Sequence, residues 1–315
     1  MKKFCISISF VLLLVFAGDR IAGVFLRDIN RNYKSFAYDS HNIAKLNYLT
    51  SDISDDIVCI GSSLCQNNYV SAIIADSLNC SVYNAGWPGT VIPSHFYLLQ
   101  QILAVHKPRI ICLDIRQDDG LKIGKPFRRL LNYAPCFGKI PEADKIFRKS
   151  GNYAALSLSH IYRYNNHISA YLGAWLSDDT YTPDFNRGYR PLKPSKTPIE
   201  DYKQTSLPAK DPLRIYYLEQ FIELCRENDI KLLICITPKY SLMKREFYDI
   251  PKNIAERYGV PVFDYHDHQL FLGRPEYFKD NMHLCDAGAR LFTSIFAHDL
   301  KEYLTNGQGQ TPQHL

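Results

Sequence analysis

Ser63 stands in Ile60-Gly61-Ser62-Ser63-Leu64, directly after a short apolar run. Far along the chain, Asp280 and His283 stand three apart in Phe278-Lys279-Asp280-Asn281-Met282-His283-Leu284. A serine hydroxyl is a weak nucleophile until a neighbouring base takes its proton. An imidazole can be that base, and a carboxylate can hold the imidazole in the right tautomer. Asp and His three apart at a loop-to-helix junction lie about one helical turn apart, so both can face one spot. Read separately, the pieces are weak. A serine after a strand is also a helix N-cap or a turn residue, and Asp-x-x-His is a common pair. The Gly-x-Ser-x-Gly elbow is absent, because Cys65 stands where its second glycine would be.

The elements between them bring the pieces together. Strand-type runs are expected at Ile57–Ile60, Ser81–Tyr83, Arg109–Leu113, Lys231–Ile236 and Val260–Phe263. Helical spacing is expected over Tyr69–Leu78, Pro93–Val105, Pro212–Glu227, Lys244–Tyr258 and Asp286–Tyr303. Strands alternating with helices predict an α/β domain with a mostly parallel sheet covered on both faces. The carboxyl ends of such strands are where ligands sit, and Ser63 follows the first of them. The rhythm breaks between about residues 120 and 210, a stretch rich in Tyr, Arg and Pro. Its first part, Glu142–Leu176, reads as helical and its second as extended, an insertion between the third and fourth strands. The insertion leaves from the sheet edge where Ser63 emerges, so it is expected to shape the acceptor site.

Gly61-Ser62-Ser63-Leu64 resembles the Gly-Asp-Ser-Leu block of the SGNH/GDSL hydrolases, with Ser62 in place of Asp. Asn84-Ala85-Gly86 resembles their second block, and Asp280-x-x-His283 their last. The order and spacing of the three carry the resemblance, over residues 55–119 and 211–304. It implies a flavodoxin-like three-layer parallel sheet with Ser63, Asp280 and His283 as triad, and hydrolysis or transfer of an ester-linked acyl group. It also implies an oxyanion hole built from the backbone N–H groups of Ser63 and Gly86. The third block departs from the pattern. The family's Gly-x-Asn-Asp supplies an asparagine, whereas here the strand runs into Asp114-Ile115-Arg116-Gln117-Asp118-Asp119. Gln117 can donate as an asparagine does, with one more methylene of reach. Arg116 is the alternative, and its permanent charge would attract an anionic substrate. Asn84 and Arg116 are further candidates for substrate contact. The implied substrate is a small acyl group, such as acetyl, on an envelope glycan or lipid. A non-catalytic glycan-binding or assembly protein on a decayed fold of this type is the alternative. No metal or organic cofactor is implied.

Composition narrows the setting. The chain has 315 residues, enough for one large domain with an insertion, and a net charge of +5 with no basic stripe. That argues against a nucleic-acid partner. Lys2 and Lys3 precede an apolar run from Phe4 to Gly18, and a second apolar piece, Ile21–Leu26, follows Asp19-Arg20. Residues 1–26 therefore read as a signal anchor or a signal peptide, residues 27–55 as a polar connector and residues 56–304 as the α/β domain. Residues 305–315 read as a flexible tail. Positive charge before the apolar run predicts a membrane-anchored or exported protein, with its globular part outside the cytoplasm. Nine cysteines with no CxxC and no zinc spacing give neither a disulfide framework nor a metal site. Asp264-Tyr265-His266-Asp267-His268 offers metal-type ligands in a row but reads more simply as a polar loop. Trp175, Tyr181, Phe185 and Tyr189 can stack on sugar rings, or can hold the insertion onto the domain.

Overall fold

The computed structural model describes residues 1–36, 41–176, 181–201 and 206–306. Strands β1 (Ile57–Ile60), β2 (Val82–Asn84), β3 (Ile110–Asp114), β4 (Lys231–Ile236) and β5 (Val262–Asp264) form one sheet. Its order is β2-β1-β3-β4-β5, with every neighbouring pair parallel. β1 and β3 are buried along their whole length, which is why Ile57–Ile60 and Ile110–Leu113 are unbroken apolar runs. Cys59 pairs with Asn84 on one side and Cys112 on the other, so the carboxyl ends of β1, β2 and β3 emerge side by side. The strand order reverses between β1 and β3. At such a switch point successive crossovers leave on opposite faces and open a crevice at the strand ends. This is the expected flavodoxin-like sheet.

One helical layer covers the face that matters for Ser63. Helices Ser71–Leu78 and Asp286–Thr305 pack beside Tyr69, Phe263, Phe292 and Phe296, with the Tyr69 and Phe292 rings 5.2 Å apart, edge to face. All nine cysteines are free, and seven of them are buried.

Residues Ser54–Leu99, His106–Arg129 and Phe185–Leu315 form one compact unit around the sheet. Met1–Ile53, Gln100–Val105 and Leu130–Asp184 form a second. The stretch read as one insertion, 120–210, is thus divided between them. Its ends lie together in the sheet unit: Leu121 bridges Lys210, and the Asp211 N–H donates to Gly120 O at 2.8 Å. Its helical part is not continuous. Pro141–Lys149, Tyr153–Leu158, the tight turns of Ile161–His167 and Ile168–Leu176 follow one another, with Gly151 at φ +78° breaking the first from the second. In the second unit the apolar helix runs unbroken over Lys2–Asn32. The polar connector expected after it holds buried Ile43, Ala44, Leu46 and Leu49 on and beside a short helix, His41–Asn47. Most of the expected tail lies outside the described residues.

Candidate active site

The segment after β1 turns sharply into a short helix, Ser63–Asn68. Ser62, fully buried, is the N-cap: its hydroxyl accepts the Leu64 N–H at 3.3 Å. The capping role open to Ser63 is therefore filled by its neighbour, and the Ser63 hydroxyl is left for other work. The start of this helix packs on the loop after β2 at Gly86. A Cβ there would run into the backbone of Gln66, so only glycine fits.

The Ser63 hydroxyl meets His283. Ser63 Oγ and His283 Nε2 are 2.8 Å apart, and His283 Nδ1 lies 2.9 and 3.0 Å from the two carboxylate oxygens of Asp280. Asp280 also accepts the backbone N–H groups of Met282 and His283, at 2.9 and 2.8 Å. Burial raises the Asp280 carboxyl, but hydrogen bonds from the His283 ring and from the two N–H groups overcome this and hold it at about 2. It is a carboxylate at any ordinary pH, so its partner nitrogen must carry the proton and Nε2 is left to face Ser63 as an acceptor. Residues 280–283 are held in turn by the Ser63 helix. Asn68 Oδ1 accepts the Leu284 N–H at 3.1 Å, and Thr293 Oγ1 donates to Asn68 O at 3.0 Å.

A serine just past the first strand at the switch point, facing a histidine and aspartate three apart before the last helix, in a parallel 2-1-3-4-5 sheet, settles the architecture. The sheet order and the places of these three residues are those that the resemblance to the SGNH hydrolases implies. No family model matches the chain, and no curated protein matches it. It is similar to several solved structures. One is a GDSL-like lipase from Bacteroides thetaiotaomicron, at 13% identity over 88% of this chain and 98% of that one, with a TM-score of 0.35. An acetyl xylan esterase is 13% identical over 77% of this chain and 98% of its own, with a TM-score of 0.38. Another acetyl xylan esterase, from the rumen bacterium Butyrivibrio proteoclasticus, is 10% identical over 79% of this chain and 64% of its own, also with a TM-score of 0.38.

Within this fold the remaining candidates take different places. Asn84 is fully buried and its amide is spent on structure. Nδ2 donates to the carbonyls of Cys65 and Tyr69, both at 2.8 Å, and Oδ1 accepts the Gly86 N–H at 3.0 Å. Asn84 thus holds the loops together and is not presented to a substrate, and the Gly86 N–H already has an acceptor. Arg116 turns to Asp118, donating from Nε at 2.7 Å and Nη2 at 2.5 Å, while its own N–H goes to Asp119. Gln117 lies differently. Its Nε2 donates only a weak 3.5 Å bond to Met282 Sδ, between Asp280 and His283, and its Oε1 is buried without a partner among the described residues. Of the two candidates for the missing asparagine, Gln117 is the one set against the Asp280–His283 loop with a donor to spare.

Sequence reading missed a set of buried charges at the carboxyl ends of β3 and β4. Asp114 is buried beside Gly61, where it accepts from Tyr69 Oη at 3.2 Å. Burial pushes its carboxyl up to about 7 against the pull of Lys239. Lys239 is 1% exposed and donates to Thr237 Oγ1 at 3.3 Å, and burial brings its ammonium down to about 8 against the pull of Asp114. The N–H of the next residue, Tyr240, meets Asn281 O. Burial also raises Asp119, to about 6. Spacing gives no sign of this set, because its members meet only once the strands are in register.

The second part of the insertion, where it belongs to the sheet unit, runs along these same elements. Arg187 O accepts the Asn84 N–H and Ser71 Oγ, and Arg190 exchanges bonds with Gln66 O and Asn67 Nδ2. Leu192 O accepts the Asp286 N–H, and the Ser195 N–H reaches Phe278 O. Tyr189 is buried and donates to Asp286 at 2.9 Å, so it holds this strap down and is not a free sugar platform. Tyr181 and Phe185 are exposed, and the Trp175 side chain lies outside the described residues. In the Asp264–His268 loop, Asp264 pairs with His266 and Lys252, and His268 accepts the Leu270 N–H.

Proposed function

We propose that this chain is a serine esterase or O-acyltransferase that removes or transfers a small ester-linked acyl group, acetyl being the simplest, on an envelope glycan or lipid. The observation that carries the proposal is the hydrogen-bonded sequence Ser63 Oγ, His283, Asp280, joined at 2.8 Å and 2.9 Å, at the switch point of the sheet. Ser63 Oγ attacks the acyl carbonyl carbon while its proton passes to His283 Nε2. The Asp280 carboxylate stabilises the imidazolium that forms. The carbonyl oxygen becomes an oxyanion, which the Ser63 N–H and Gln117 Nε2 are suited to receive. His283 then gives its proton to the leaving alcohol oxygen, leaving an acyl ester on Ser63. A water, or an acceptor hydroxyl in the transfer case, loses its proton to His283 and attacks the acyl-enzyme. The proton returns to Ser63 as the acyl group departs. The strap at 187–195, lying along the Ser63 helix and Phe278, is suited to shaping the acceptor side.

Ser63→Ala tests this on a small activated ester. It should remove turnover while leaving the melting temperature unchanged, and wild-type turnover in that variant would refute the nucleophile assignment. One observation favours a second reading, a non-catalytic glycan-binding or assembly protein: the Gly86 N–H, expected in the oxyanion hole, is already donated to Asn84. The N-terminal helix, apolar from Phe4 to Leu26 apart from Asp19-Arg20 and a few small or hydroxyl residues, supports a membrane anchor. Lys2 and Lys3 support an outward-facing globular part.

A further inference from the structure

Asp19 and Arg20 interrupt the apolar stretch Phe4–Leu26 of the helix, and a carboxylate in the path of a membrane span is costly unless it is paired. Here the second unit satisfies both residues. Asp19 accepts from Ser159 Oγ at 2.6 Å and from the backbone N–H groups of His160 at 2.7 Å and Ile161 at 3.2 Å. Arg20 Nη2 donates to Leu158 O at 2.8 Å. One turn further on, Gly23 is buried directly against His160, where any Cβ would collide with the His160 side chain. Tyr171 Oη then donates to Asn30 Oδ1 at 2.6 Å, and Leu26 and Ile29 pack with Ile43, Tyr164 and Tyr171. One face of the helix from Asp19 onward is thus a docked part of the fold.

The other face of the same turns stays open and apolar. Ile21, Val24 and Phe25 are 72%, 49% and 54% exposed, at the spacing of a single helical stripe, and the stripe ends at exposed Arg27 and Asp28. Counted to Leu26, the apolar helix from Phe4 is about 34 Å long at 1.5 Å per residue, which matches the roughly 30 Å of a hydrocarbon core. Counted only to Gly18 it is about 22 Å and falls short. The full length fits only if the bilayer reaches past Asp19 on the open side. Leu158, whose carbonyl holds Arg20, is itself 70% exposed at that depth.

We propose that the loop Leu158–Ile161 is a lipid-immersed collar on the anchor. It sits in the outer interface of a bilayer with the Leu158 side chain among the lipids, shielding Asp19 and Arg20 from hydrocarbon. The collar requires the apolar run from Phe4, which leads up to the docked Asp19, to be retained as the span. The inference rests on the reading of the N-terminal helix as a membrane anchor, and one experiment separates the two. The full chain carrying Leu158→Trp is reconstituted into phosphatidylcholine vesicles, with and without lipids brominated on the acyl chains, and its emission is compared with that of the parent chain. The collar requires the emission added by the new tryptophan to be blue-shifted and mostly lost in brominated lipid. Added emission that is water-like and unquenched, in a chain that does co-float with the vesicles, overturns the collar and leaves the anchor standing. A full chain that fails to co-float overturns both. The intact mass of the membrane-extracted protein is a second check: a mature chain that has lost the apolar run Phe4–Gly18 overturns both.

Discussion

Asn68 Oδ1 accepts the backbone N–H of Leu284 at 3.1 Å, so the helix that presents Ser63 also fixes the residue next to His283. Nucleophile and base come from segments far apart in the chain, and this bond ties one to the other. Asn68 touches no reacting atom and acts as a positioning residue. Asn68→Ala should lower kcat by about 10- to 100-fold through misplacement of the imidazole, with KM little changed. It should also slow phosphonate modification of Ser63 in proportion. A purely structural role would lower the melting temperature and leave kcat per folded molecule intact.

Gln117 is held by little more than a 3.5 Å bond to Met282 Sδ, which leaves its amide free to turn toward a developing oxyanion. Losing one such donor costs about 3–4 kcal/mol of transition-state stabilisation. Gln117→Ala should therefore reduce kcat/KM by roughly two to three orders of magnitude, mostly in kcat. An unchanged rate would remove Gln117 from the site and strengthen the binding-protein reading.

Burial raises the Asp114 carboxyl to about 7 and the Asp119 carboxyl to about 6, both above the unfolded value near 3.9. The folded state then binds more protons than the unfolded state between about pH 4 and 7, so these two groups make stability fall as pH rises through that window. Asp264 and Asp280, held near 2, work the other way, and their contribution is lost only as pH drops below about 4. Asp114→Asn should flatten the decline between pH 4 and 7. Denaturant titrations of both proteins across that range measure it, and parallel pH profiles would show that Asp114 is not the group responsible.

The sheet was legible because each strand is largely a short apolar run followed or preceded by a helical segment, and burial on both faces demands such runs. That Ser63, Asp280 and His283 should lie together was expected from the resemblance of their segments to the SGNH/GDSL blocks, and the side chains of Ser63, His283 and Asp280 are in turn within hydrogen-bond reach of one another. Asn84 was not, because its motif does not say whether the amide faces a substrate or the neighbouring carbonyls, and here the Cys65 and Tyr69 carbonyls take it. The break of the 142–176 region at Gly151 turns on one positive φ, which a helical hydropathy pattern masks. The short helix at Ser63–Asn68 went unread because its apolar residues do not show a full helical period. Asp114 and Lys239 look like ordinary loop polars in sequence, and their burial within each other's electrostatic reach shows only when β3 and β4 align.

The central claim is that Ser63 is a nucleophile activated by His283, and the most direct measurement is covalent. The full chain is treated with a fluorophosphonate and the labelled residue is mapped by peptide mass spectrometry, alongside His283→Ala and Asp280→Asn. The account requires a single adduct on Ser63, formed fast in the parent protein, slowly in Asp280→Asn and hardly at all in His283→Ala. Labelling of another serine, or equal labelling of Ser63 in all three proteins, would contradict it.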